Sequence, residues 1–598
     1  MSLSRWLLLV LLAVGLGFAA YRFLPRTEVE APAAPVRFTE VTTAAGINFR
    51  HVNGATGRKL LPETMGGGVA VIDFDRDGRP DLFFVNGRPW PGQPDPPTGK
   101  ATQALYRNRG DGTFEDVSAS VGLAIEIYGM GVAVGDFDND GWPDLFITAI
   151  GGNRLFRNVE GKRFEDVTLA AGFPLPVWPK GSFEDFLNRA EPLAFPSSAA
   201  FLDYDGDGRL DLFVCNYLAW SPAFDLGVKA ILTGGTRAYV PPQQFPGVQC
   251  QLFRNVDGKK FEEVSAAAGI HVLESSGPDR QPAAIGKSLG VVVCDPDRDG
   301  WPDLIVANDT VRNFYFHNVP APGGGRRYEE VGLYSGLAYA DGRPRGGMGI
   351  DAGELSPGNF AAVVANFSNE PNSLFKRTGE KPTRFADVAA EVGLAGPSRA
   401  PMKFGALLAD FDRDGRLDLF TCNGHLEPDI ATAQPGQTYK QPAQLFRNAG
   451  SDEKPFELVT FPSGEGFPPI VGRGCAYLDY DGDGDLDLVL IENNGPARLF
   501  RNDSPTRSDW VRLNLVGQMS NRDAIGAEVT VESGGVNRRW FVSPTHGYLS
   551  QSERTATIGL ARGALDRVIV RWPGSGAIQE WRGLKPGESH VLVEAKVP

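Results

Sequence analysis

The stretch "DFDNDGWPDL", beginning at Asp136, places carboxylates at positions 1, 3, 5 and 9 and glycine at position 6. Four carboxylates this close repel one another unless a cation lies among them. Hard oxygen ligands at alternating positions, with a glycine for the sharp turn, suit Ca²⁺. Six intact copies make the candidate ligands Asp73, Asp75, Asp77 and Asp81; Asp136, Asp138, Asp140 and Asp144; Asp203, Asp205, Asp207 and Asp211; Asp295, Asp297, Asp299 and Asp303; Asp410, Asp412, Asp414 and Asp418; and Asp479, Asp481, Asp483 and Asp487. An EF-hand needs an acidic residue at position 12, but here it is Phe84, Ile147, Val214, Val306, Thr421 and Leu490, each inside an apolar run. The expected unit is therefore a Ca²⁺ loop closing a β-hairpin. About six structural ions would bring +12 against a formal charge of −14. One such loop alone could be a metal-free side-chain turn; recurrence favours the metal. Protein ligands saturate a site of this kind and leave no open position for metal catalysis. A seventh, worn copy from Asp351, "DAGELSPGNFAAVVAN", keeps Asp351 and Glu354, lengthens the loop and lacks position 9, so it is expected to hold no ion.

The elements that position these loops repeat with them. Apolar runs such as "GVAVGDF" and "DLFITA" flank each acidic loop, "LFRN" or a variant follows, and "FEDV" or a variant comes next. Each unit reads as four short strands, with a period of about 68 residues, and radial repetition of such sheets is a β-propeller. Seven units give seven blades over residues 36–506. The last "LFRN" (499–502) has no "FEDV" after it, while a spare "FTEV" (38–41) precedes the first blade. The N-terminal strand is therefore expected to complete the last blade and remove two exposed edges. From Trp510 the pattern becomes plain alternation, predicting about seven strands and a small β-sandwich-like domain over 507–598.

At the N-terminus Arg5 precedes an apolar run from Trp6 to Tyr21, and Arg22 and Arg26 follow. Residues 1–35 read as a signal peptide or a membrane anchor with a linker, both of which export the remainder. The acidic charge argues against nucleic acid and against an anionic membrane surface as main partner; membrane contact is expected only through the anchor. Five cysteines make Cys215 and Cys250 the best disulfide pair in an oxidising compartment; the other reading is five small core residues.

The acidic loops and the "RNxxGxxF" turns share one end of the blades, so the long insertions 172–198, 217–250, 269–288 and 424–444 share the other. Binding residues concentrate on loops held by a rigid scaffold. Trp178, Phe183, Phe186, Tyr217, Trp220 and Tyr239 lie there, either packed on one another or forming a ligand platform. Asn86, Asn216, Asn308 and Asn423, with Asn366 and Asn493 nearby, either contact a ligand or end strands by side-chain turns. His51, His271 and His425 also fall there, and "NGHLEPD" (His425, Glu427, Asp429) and "FRHVNG" are the acid–base-like clusters. No GxSxG, HExxH or P-loop accompanies them.

The loop and its strand context resemble the FG-GAP/VCBS repeats of integrin α-type propellers over roughly residues 38–505. "SNRDAIGAEVTV" (520–531), "GYLSQS" (547–552) and "VIVRWPGSGAIQEW" (568–581) resemble the ASPIC/UnbV domain. Together they resemble the cartilage acidic protein family. The resemblance implies an exported Ca²⁺-binding propeller with an interaction or adhesion role, binding a protein or a glycan. An exported carbohydrate-active hydrolase or lyase using the insertion loops is the competing expectation.

Overall fold

The computed structural model describes residues 36–97, 99–275, 281–450, 454–505, 509–560 and 565–596, and the export segment expected at 1–35 lies outside them. Among the described residues no helix is long and apolar enough to cross a membrane. Val69–Ile72, Asp81–Phe84, Ala104–Asn108 and Phe114–Asp116 pair in chain order as an antiparallel sheet, blade 1. The acidic loop joins its first two strands. Five more sheets repeat the order, with first strands Gly129–Gly135 (blade 2), Pro196–Leu202 (blade 3), Ser288–Cys294 (blade 4), Gly347–Glu354 (blade 5) and Lys403–Ala409 (blade 6). Blade 7 takes Gly472–Leu478, Asp487–Glu492 and Ala497–Asn502 from the end of the repeat and Phe38–Glu40 from its start. Thr39 pairs with Arg501, which is the closure the leftover motifs required. First strands neighbour one another around the axis, and blade 7 meets blade 1. The result is an all-β propeller.

The core lies between sheets rather than within one. Each junction has its own apolar cluster: Phe84 and Tyr106 of blade 1 meet Leu478 and Val489 of blade 7, and Phe420 of blade 6 meets Tyr477 and Phe500 of blade 7. Fully burying a Leu or Phe contributes about 1.5–3 kcal/mol, so an isolated blade would forfeit most of its stability.

Blade 5 corrects the reading of the worn copy. Glu354 pairs with Phe360, so only residues 355–359 connect the strands and the loop is shortened, not lengthened. Glu354, not Asp351, stands at loop position 1. Asp351 lies within the first strand, buried, where its carboxylate accepts from Leu408 N–H at 2.7 Å. Counting back five residues from position 1 gives Gly68, Gly131, Ser198, Gly290, Gly349, Gly405 and Gly474, a small residue in every blade. Here neighbouring first strands touch: a Cβ on Gly349 would lie 2.1 Å from the Phe404 carbonyl oxygen, and one on Gly474 2.3 Å from that of Gly67. Only glycine fits so close a backbone approach.

The C-terminal part forms two sheets, as its alternation predicts. One is Ala556–Gly559, Trp510–Val516 and Glu588–Val593; the other is Val536–Phe541, Glu528–Ser533, Leu565–Arg571 and Ile578–Trp581. They close on Val511, Val529, Val568 and Trp572.

Between them, residues 543–553 leave this sandwich and enter the propeller axis. Gly547 exchanges two backbone hydrogen bonds with Ile350 of blade 5, at 2.8 and 3.0 Å. Leu549 O accepts from Val132 N–H of blade 2, and Leu549 N–H donates to Ser198 Oγ of blade 3 at 3.0 Å. Gln551 bonds Val69 and Val71 of blade 1, and Glu553 N–H donates to Tyr477 O of blade 7. First strands of a propeller have no partner on their axial edge, and the inserted segment satisfies those buried backbone groups. "GYLSQS", whose role the sequence does not reveal, is this plug.

All five cysteines are buried free thiols. Cys215 lies in the second strand of blade 3 and Cys250 immediately before the third, the thiols hydrogen-bonded. Of the two readings the sequence leaves open for them, the structure has the core thiols.

Candidate metal centres and the face they occupy

In blade 1 one carboxylate oxygen each of Asp73, Asp75 and Asp81 lies within 4.8 Å of the others; Asp136, Asp138 and Asp144 and Asp203, Asp205 and Asp211 do the same in blades 2 and 3. These are loop positions 1, 3 and 9. The loop glycine at position 6 has positive φ throughout, for example 84° at Gly78 and 97° at Gly141, which turns its N–H onto the position 1 carboxylate.

Position 9 also organises the blade. Asp144 accepts from Phe137 N–H at 3.1 Å and from Asn158 N–H at 2.7 Å. Asn158, from "LFRN", then donates its side-chain amide to Phe74 O of blade 1 at 2.9 Å. The same latch runs from Asn108, Asn255, Asn318, Asn448 and Asn502 to the preceding blade. In blade 5 Arg377 replaces the asparagine and reaches Pro296 O. The arginine of "LFRN" holds position 3: Arg157 meets Asp138 at 2.6 Å, Arg254 meets Asp205 at 2.8 Å and Arg447 meets Asp412 at 2.5 Å. Sequence reasoning treated "LFRN" as a strand marker; the arginine and asparagine recurring at its third and fourth positions were the missed signal.

Position 5 departs from the expected ligand set. Asp77, Asp207 and Asp414 turn outward to Arg79, Arg209 and Arg416, and Asp140 pairs with Arg157 at 2.7 Å. Blade 4 differs again, with oxygens of Asp295, Asp297 and Asp299 together and a second group of Asp297, Asp303 and His317. His317 stands where blades 1, 2, 3, 6 and 7 have arginine, and its bond to Asp303 raises it to about 9. In blade 7 Arg512 of the C-terminal domain bonds Asp479 Oδ2 at 2.7 Å.

These acids fit a cation. Among the described residues, buried oxygens of Asp75, Asp136, Asp205 and Asp410 have no hydrogen-bond partner. Burial, with neighbouring carboxylates, pushes Asp73 up to about 6, Asp203 to about 7, and Asp81, Asp136, Asp295 and Asp410 to about 8. A divalent cation supplied with the unpaired oxygens would remove both the repulsion and the unmet polar burial.

The C-terminal domain covers this end of the ring. Asp136 N–H donates to Asp523 Oδ2 at 2.7 Å, Arg522 N–H to Asn139 Oδ1 at 3.0 Å, and Arg538 Nε to Gly415 O at 3.3 Å. Arg539 lies 3.7 Å from Glu354, which also pairs with Arg298. In "SNRDAIGA" Asn521 bonds Ile525 both ways to form the turn that presents Asp523.

At the opposite end the insertion loops bury their aromatics on one another. Trp90, which the sequence reading missed, is the centre: its ring stacks on Tyr128 at 4.4 Å, Phe186 at 5.0 Å, Trp220 at 5.7 Å and Trp178 at 6.0 Å. Phe183 and Tyr217 extend the cluster through Phe186 and Phe195. Tyr239 reaches Glu63, a carboxyl that burial lifts to about 7. The packing reading of the aromatics therefore holds over the platform reading. The asparagines also tie loops: Asn86 bonds Val52 N–H and Thr102 O, Asn423 bonds Pro442 O, and Asn493 bonds Glu63 O.

His51 accepts from Asn494 N–H at 3.1 Å and His425 from Glu427 N–H at 3.0 Å. Burial and the Arg473 cation hold them at about 3 and about 4. Glu427 and Asp429 are engaged by Lys59. Those groups fasten loops and are not arranged for proton transfer. A cleft of about 320 Å³ lies open between blades 2 and 3, lined by Phe173, Leu175, Val177 and Arg189; Leu175 is 67% exposed and Val177 51%.

Residues 73–147 and 136–214 match the FG-GAP-like repeat, and residues 517–598 match the domain described as ASPIC and UnbV. The propeller thus carries FG-GAP-like repeats, and an ASPIC/UnbV domain follows it at the C-terminus. The chain's similarity to the cartilage acidic proteins runs over most of its length: 24% identity over 598 residues to cartilage acidic protein 1 of Homo sapiens, covering 96% of this chain and 77% of that protein. Cartilage acidic protein 1 of Mus musculus is 24% identical over 563 residues, covering 90% and 74%. Among solved structures, the rhamnogalacturonan lyase YesW shares 13% identity and a TM-score of 0.34, over 74% of this chain and 72% of its own; so slight a likeness bears on nothing further.

Proposed function

We propose that the protein is an exported, calcium-stabilised recognition or adhesion protein that binds a protein or glycan on its insertion-loop face. Export is supported by the FG-GAP-like repeats and the kinship with cartilage acidic proteins. The metals are Ca²⁺, about six, in the acidic loops of blades 1, 2, 3, 4, 6 and 7. Blade 7 is the weakest site, because Arg512 competes for Asp479. Blade 5, with Glu354 taken by Arg298 and no aspartates in residues 355–359, holds none. The observation that carries the metal reading is the set of unpartnered buried oxygens on Asp75, Asp136, Asp205 and Asp410.

The choice of face follows from the C-terminal domain, which sits over the acidic loops and leaves the insertion loops free. Native mass spectrometry across a free Ca²⁺ series tests the metals, with five ions bound first and a sixth later. Array binding to glycans and extracellular proteins tests the face: Leu175→Asp and Val177→Asp should abolish a hit while leaving the ion count unchanged. A hit untouched by either substitution would move recognition elsewhere.

A further inference from the structure

A second cavity, of about 430 Å³, opens between the propeller and the C-terminal domain beside blades 1 and 2. Its charges do not balance. Arg512 is spent on Asp479 and Glu553, and Arg554 on backbone oxygens and Asp523. Asp523 is itself taken up by Asp136 N–H, Glu553 by Asp479 N–H and Asp73 by the N–H groups of Asp77 and Gly78, while Arg79 pairs with Asp77. Two guanidinium groups remain. Arg76, at loop position 4 of blade 1, turns away from its own aspartates and lies 5.8 Å from the Trp142 ring of blade 2. Arg522, in "SNRDAIGA", has a buried Nε without a hydrogen-bond partner among the described residues.

The two converge on one point. A Cβ built on Gly141 would lie 2.8 Å from Arg76 Nη1 and 3.6 Å from Arg522 Nε, so the cations face each other across a glycine. Two like charges brought together in a partly buried cleft, neither ion-paired among the described residues, destabilise the docked domain unless an anion joins them. Forked guanidinium donors match the planar or tetrahedral oxygens of a carboxylate, sulfate or phosphate. The remaining wall offers neutral hydrogen-bonding groups, Asn514, Thr555 and Ser589.

We infer that this interdomain cleft is a binding site for an oxyanion carried on a small hydroxylated molecule, such as a sugar acid, with Arg76 and Arg522 as its anchors. The site is separate from the recognition face proposed above and does not depend on it.

Isothermal titration calorimetry on the whole Ca²⁺-loaded chain tests this with glucuronate, glucose and inorganic sulfate. Glucuronate should bind with one-to-one stoichiometry and glucose should not. Arg76→Gln and Arg522→Gln should each weaken glucuronate about tenfold or more, the expected scale for losing a charge-assisted contact. Sulfate binding as tightly as glucuronate would keep the oxyanion site but remove the hydroxylated body from the assignment. Absence of binding by all three, or affinities unchanged in both variants, would overturn it. Ligand-free melting temperatures of the two variants at or above the parent's, as expected on removing one of two facing like charges, show that any loss of binding is local.

Discussion

The hydroxyl of Tyr548 donates to the carbonyl oxygen of Met65 at 2.8 Å, a bond between residues 483 apart in sequence. Tyr548 belongs to the C-terminal sandwich by chain order, yet its ring packs against Phe404 at 5.1 Å in the cluster beneath the insertion loops. The plug thus connects the covered end of the ring to its open end. Tyr548→Phe should cost about 0.5–1.5 kcal/mol for the lost hydrogen bond, and Tyr548→Ala about 3–5 kcal/mol with the cavity added. Denaturant unfolding measures both; an alanine variant as stable as the parent would mean that the plug contributes nothing to the ring.

The acidic loops give stability a definite pH sign. In the metal-free protein burial holds Asp81, Asp136, Asp295 and Asp410 at about 8, against roughly 4 in an unfolded chain. The folded state therefore binds more protons between those values. Its stability from these groups is full below pH about 4 and declines as pH rises toward 8. Chelated protein should melt at a lower temperature at pH 8 than at pH 5. Saturating Ca²⁺ should flatten or reverse that slope and release protons on binding, which calorimetry in two buffers of different ionisation enthalpy detects. A chelated melting point that climbs with pH contradicts this.

The interblade latch is directly testable at Asn158, whose amide donates to Phe74 O and Pro143 O while its own oxygen accepts from Gly161 N–H. Asn158→Ala strands those buried groups, a loss of about 1–3 kcal/mol. Asn158→Asp should cost more, because it sets a second carboxylate beside Asp144 with no amide to donate. Urea midpoints rank the three proteins.

Domain docking and metal occupancy meet at Arg512. Removing one partner of a buried ion pair costs about 3–5 kcal/mol, so Arg512→Gln should loosen the C-terminal domain and make it more susceptible to limited proteolysis. It also frees Asp479, so the sixth ion in native mass spectra should appear at lower free Ca²⁺. Proteolysis and ion uptake both matching the parent would dissociate Arg512 from the blade 7 loop.

The sequence reveals what local chemistry constrains. Ligand spacing forces Asp73, Asp75 and Asp81 and their equivalents into register, and the unpaired "FTEV" and "LFRN" must find each other, so loops and closure are both readable. Asp351 misled because an inward-facing strand residue three positions early imitates the start of a loop. Trp90 escaped notice because it sits alone in a turn-rich segment with no periodicity. The plug was illegible for a different reason: Gly547–Gln551 draws its partners from blades 1, 2, 3 and 5, and no short-range pattern records them. Position 5 is less uniform than its spacing suggests: Arg79, Arg209 and Arg416 follow it by two residues and pair with its carboxylate, while Asp299 joins the blade 4 cluster.

Phe38–Glu40 belongs to a sheet whose other strands lie beyond residue 471. During synthesis this segment waits, as an unmatched strand, until nearly the whole ring has emerged. Pairings over such sequence separations form slowly, and a waiting edge strand accepts any compatible partner. Another copy's unfinished blade 7 offers an identical one. Crowded nascent chains should therefore exchange their first strands and emerge as swapped dimers, a hazard that ends only when each molecule captures its own N-terminus.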